Sequence, residues 1–143
     1  MLLAMASGDL HPGSGGFRAA IAGIPADLRD RLMRLADWAD FLEREGLADL
    51  ATFHGKEVTS LRPHVAGDGA GLVSISCDVR SAYLQFWRSV FDRCAPQSTA
   101  LVEAELGAEL KQGNSTHEFP EPLIEALTQA YREAAARRAD EEA

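Results

Sequence analysis

Residues able to do chemistry recur at every second position in three short runs. Ser60, Arg62 and His64 alternate through "SLRPH", Ser74 and Ser76 through "SIS", and Tyr83, Gln85 and Trp87 through "YLQFW". A spacing of two places each set on one face of a strand. An arginine fork clamps a carboxylate or phosphate through two parallel hydrogen bonds. Tyrosine and tryptophan offer flat faces on which a base or another ring can stack. An imidazole with an ordinary pKa of about 6.5 moves protons near neutral pH. His64 is expected at the level of Ser74, where it could serve a hydroxyl nucleophile, although no GxSxG elbow accompanies the pair. Together the eight residues describe a shallow trough: small serines on the floor, a cation and an imidazole on one wall, aromatics on the other.

Three strands must position them. The period-two pattern predicts strands over Val58–Val65, Leu72–Cys77 and Ala82–Arg88, joined by "AGDGAG" and "DVRS". A four-residue loop at Asp78–Ser81 pairs Cys77 with Ala82, Ile75 with Leu84 and Val73 with Phe86, which makes that face apolar. The other face then sets Leu72 opposite Trp87, Ser74 opposite Gln85 and Ser76 opposite Tyr83. Burial of Leu61, Pro63 and Val65 fixes the first strand's alignment, because a slip of one residue would exchange its faces. Pro63 predicts that this strand is at an edge. The trough is then a ligand surface, a face covered by a helix or a second subunit with Trp87 and Leu72 in the interface, or a plain solvated face.

Flanking segments follow a helical period. Leu28, Leu32, Leu35, Ala39 and Leu42 form one stripe over Pro25–Glu45, and Gly46 suits the position just past its end. Trp38 and Phe41 lie off that stripe and require a second covering element. "LADLATF" (47–53) and "SVFDRCA" read as short helical turns. Gln97–Lys111 reads as a helix with Val102, Leu106 and Leu110 inward, and Pro122 opens a last helix with Leu123, Ile124, Leu127, Tyr131 and Ala134 inward. Residues 1–16 are expected to be a mobile tail, 17–137 one domain, and 138–143 a frayed acidic end. The fold class is α+β: a three-stranded antiparallel meander packed on one face by helices, in the order α-α-β-β-β-α-α.

The 143 residues suit a single domain. Arg outnumbers Lys twelve to two and Ala supplies 24 residues, a bias of GC-rich bacterial genomes. Net charge is −8, divided as −3 over residues 1–53, +1 over 54–93 and −6 over 94–143, so a polyanion can be attracted only at the central segment. No apolar run is long enough for a membrane span, and the N-terminus lacks a basic n-region, so a cytoplasmic location is expected. Cys77 and Cys94 read as buried apolar residues rather than a disulfide framework or a thiolate metal site. His11, His54, His64 and His117 have no metal-ligand spacing, and no metal or cofactor is expected. "GDGAG" lacks both the following helix and the Lys-Ser/Thr ending of a P-loop, and reads as a hairpin loop. Glu121, Glu125 and Glu133 give the last helix an acidic face, either solvated or a docking surface for a basic partner. A protein partner or self-dimer is expected, with nucleic acid a further candidate at the sheet face.

"GIPADLRDRLMRLADWADFLEREGL", "VTSLRPHV" and "AYLQFWRSVFDRCAP" together resemble, over about residues 20–100, the core of the RelE/ParE toxin superfamily. That resemblance implies a metal-independent ribonuclease. Arg62 and Arg88 would then stabilise charge on the phosphate, His64 would act as general base or acid, and Tyr83 would place the nucleotide. The residues alone support a small bacterial binding module acting through Arg62, His64, Ser74, Ser76, Tyr83, Gln85 and Trp87.

Overall fold

The structure, a computed structural model, describes residues 9–142. The stripe Leu32, Leu35, Ala39 and Leu42 is fully or almost fully buried along a helix, α2, that spans Ala26–Arg44. Pro25 precedes it, Asp27 lies in its first turn, and Gly46 beyond it takes a φ of +74°, a conformation that costs glycine little. Around α2 the chain forms β1 (Asp9–Pro12), α1 (Gly15–Ile21), β2 (Ala48–His54), β3 (Thr59–Val65), β4 (Val73–Cys77), β5 (Ala82–Phe86), α3 (Arg88–Cys94), α4 (Thr99–Leu106), β6 (Ser115–Thr116) and α5 (Glu121–Glu142). The α+β class stands. The sheet has six strands rather than three, in the order β1-β2-β3-β4-β5-β6, and every pair is antiparallel.

The β4–β5 hairpin matches its expected register. Cys77 pairs with Ala82, Ile75 with Leu84 and Val73 with Phe86, and all six are buried. Asp78 closes the loop by accepting from the backbone N–H of Arg80 (2.7 Å) and Ser81 (2.8 Å). Helix α5 supplies the cover that Trp38 and Phe41 required. Trp38 donates to Thr128 Oγ1 at 2.9 Å and sets its ring edge-on to Tyr131 at 6.1 Å.

Five expectations are corrected. "LADLATF" is not helical, because Ala48, Leu50 and Thr52 alternate into the core and pair as β2 with β3. The three-residue spacing of Leu47, Leu50 and Phe53 suits a helix, but pairing with the neighbouring strands decides. Consequently β3 is an interior strand and Pro63 is not at an edge. Of the expected tail, residues 1–8 lie outside the described residues, while residues 9–12 form β1 and Gly15 starts α1. The helix expected over 97–111 ends at Leu106, where Gly107 turns the chain at φ +77°, and Leu110 is buried beyond it. The expected frayed end is helical through Glu142.

Pro63 is tolerated because the ladder opens where its missing N–H would have pointed. Leu61 pairs with Ile75, but three residues further on His64 bridges Gly71, four residues before Ile75. The β4 side therefore carries one extra residue, a bulge. Leu72 lies within the bulged segment and is fully buried, and its carbonyl accepts from the Trp87 N–H at 3.0 Å, in keeping with the expected pairing of these two residues. The Pro63 carbonyl left by the break accepts from the Tyr131 hydroxyl at 2.6 Å. A Cβ on Gly71 would stand 2.7 Å from that carbonyl oxygen, which is why glycine is needed there.

Candidate functional site

Alternation carries Ser60, Arg62 and His64 to the face turned away from α2 and α5, and β2 adds Asp49, Ala51 and Phe53 opposite them. Ser74 and Ser76 on β4 face Gln85 and Tyr83 on β5. The serines are buried as a floor, with Ser60 and Ser76 hydroxyls 3.0 Å apart. Trp87, one residue past β5, donates from Nε1 to Ser74 Oγ at 2.9 Å. Gln85 donates from Nε2 to the Gly113 carbonyl at 3.1 Å, and Tyr83 meets His117 edge-on at 5.9 Å. All seven expected binding residues thus share one face.

Part of that face deepens into a recess of about 470 Å³, lined by Arg62, His64, Ser74, Trp87, Arg93 and Gln112 together with the Gly69–Gly71 loop. Arg62 and Trp87 are walls of the same recess. Ser76, Tyr83 and Gln85 lie further along the face, outside it. The Arg62 guanidinium stacks 4.3 Å above the Phe53 ring. It is half-buried, and among the described residues it has no salt bridge. Burial accordingly holds its pKa below the usual arginine value with no acid to offset it. Burial likewise lowers His64, the Arg62 charge lowers it further, and Asp49 and Asp68 pull the other way. The second guanidinium, Arg93, is neutralised by Asp68 at 2.7 Å, whose carboxyl it holds below the usual range.

Two expected placements do not hold. His64 bridges Gly71, and continuation of the β3–β4 register sets Arg62, not His64, level with Ser74. The regular β3–β4 pairing thus already sets His64 two residues from Ser74, and the bulge moves it one residue further. Arg88 lies in a separate recess with Glu103 and Glu109, where Nε donates to Asp92 at 2.8 Å and Nη1 to the Leu110 carbonyl at 2.9 Å. Phe53, Arg93 and Gln112 were missed. Phe53 was hidden by the helical reading of "LADLATF", and Arg93 lies on α3, beyond the strands that the period-two pattern covers. No signal in the sequence pointed to Gln112.

Among the described residues no group of three or more His, Cys, Asp or Glu is placed to hold a metal ion. None of the helices described is long and apolar enough to cross a membrane. Cys77 and Cys94 are buried and unpaired, and burial pushes the Cys77 thiol up to about 11, away from nucleophilic use. No protein-family model matches the chain, and no curated protein or solved structure matches it.

Proposed function

We propose that the chain is a small binding module that holds a planar organic anion, a carboxylate or phosphate attached to an aromatic ring, in the recess between Arg62 and Trp87. The observation that carries this reading is the half-buried Arg62 guanidinium, aimed by its Phe53 platform and without an acid partner among the described residues. A partly desolvated cation gains most from an anion that arrives with two acceptor oxygens. Trp87, fixed through Ser74, gives the ring a surface to pack on. The volume of about 470 Å³ is in the range of small-molecule pockets, while a net charge of −8 disfavours a polyanion.

Binding is favoured over phosphodiester cleavage by the position of Arg88. A toxin-type ribonuclease requires Arg62 and Arg88 at one phosphate, yet Arg88 is tied to Asp92 and the Leu110 carbonyl in a recess of its own. A thermal-shift panel of inorganic phosphate, benzoate and adenosine monophosphate tests the proposal. A saturating ring-bearing anion should raise the melting temperature of the wild type by on the order of 5–10 °C and leave Arg62→Gln unmoved. Equal shifts in both proteins, or none with any probe, would reject it.

A further inference from the structure

A second surface, on the opposite side of the molecule from the trough, is furnished for another kind of occupant. Helices α2, α4 and α5 leave between them a groove of about 520 Å³. Its floor is apolar: Trp38 and Phe41 from α2, Leu101 from α4 and Ile124 from α5. Leu101 is 45% exposed, one of only three large apolar side chains exposed among the described residues. Nothing in the fold requires a leucine on the outer side of α4.

The rim is acidic. Glu105 and Glu125 border the groove from α4 and α5, and among the described residues neither has a salt bridge. Glu121 also lines it and is shared with Arg34 at 2.8 Å, and Arg132 is the one cation in the lining. This third of the chain, residues 94–143, carries a net charge of −6. A second copy would bring the same charge to the same place, which is unfavourable. We propose that this groove docks a basic amphipathic segment of a partner protein, its apolar side chains seated beside Leu101 and Phe41 and its lysines or arginines paired with Glu105 and Glu125. This is the helix-in-groove mode of recognition, in which anchors on one face supply affinity and flanking charges supply orientation and rate.

Glu133, on the same helix, is not part of this surface. It accepts from the backbone N–H and hydroxyl of Ser98 and from the Gln97 N–H, capping α4. An acidic helix can thus contain both structural and available carboxylates, and the groove collects the available ones.

The test uses a fluorescent amphipathic peptide of about fourteen leucines and lysines, long enough to form a helix on binding. A scrambled version and a version with glutamate for lysine serve as controls, all at about 0.15 M salt. Anisotropy should show binding of the ordered Leu/Lys peptide only. Glu105→Lys combined with Glu125→Lys should weaken it about tenfold or more, Leu101→Asp should do likewise, and Arg62→Gln should have no effect. These positions are exposed, so the variants should keep the wild-type melting temperature. Binding of the scrambled peptide with equal affinity, indifference to both groove variants, or no binding would overturn the proposal. So would a self-dimer abolished by Leu101→Asp, which would assign the groove to a second copy.

Discussion

Arg62 and His64 sit two residues apart on one strand face, and the guanidinium lowers the imidazole's tendency to carry charge. Burial and the neighbouring guanidinium favour neutral imidazole, outweighing Asp49 and Asp68. As pH falls below about 6.5 the unfolded chain therefore takes up this proton first, and folding stability declines through that window. NMR titration should give His64 a midpoint below its ordinary value, and Arg62→Gln should move that midpoint upward by removing the opposing charge. A midpoint at or above 6.5, unmoved by the substitution, would contradict the electrostatics described. Bound anion should have the same upward effect as the substitution, because it too cancels the Arg62 charge.

At the scale of elements, the bulge between β3 and β4 sets the shape of the recess. Pro63, Gly71 and Tyr131 form one device: the proline breaks the ladder, the glycine permits close approach, and the tyrosine satisfies the freed carbonyl. Gly71→Ala must push a Cβ against the Pro63 and Val73 carbonyl oxygens and should cost about 1–3 kcal/mol. Tyr131→Phe leaves a buried carbonyl without its donor and should cost a similar 1–3 kcal/mol. Urea unfolding measures both, and values near zero would show that the bulge does not depend on these contacts. This device also marks where the sequence ceased to be legible. The β4–β5 register could be read because alternation and a short Asx-closed loop leave one solution. The bulge could not, since the adjacent apolar pair Leu72 and Val73 also suits an unbroken strand and only Tyr131, 68 residues from Pro63, discloses the break. Strand β2 was obscured for a related reason: partners on β1 and β3, not its own pattern, decide its conformation.

Across the whole molecule, one sheet face is covered by helices and the other is left as a trough, so the two outer surfaces differ in chemistry. The trough side carries the single unneutralised Arg62 in the recess, and the helical side carries the acidic excess. Such a molecule should not attract a phosphate backbone at long range. On immobilised heparin at about 0.15 M salt the protein should therefore pass unretained, whereas retention would indicate a basic surface absent from this account. What enters beside Trp87 decides whether the recess is an anion site. In a Trp38→Phe background Trp87 is the only tryptophan, and its fluorescence can be titrated with benzoate and with uncharged benzamide. Saturable quenching by benzoate alone, lost in Arg62→Gln, is the predicted result. Quenching by both compounds equally, or persisting without the guanidinium, would contradict it.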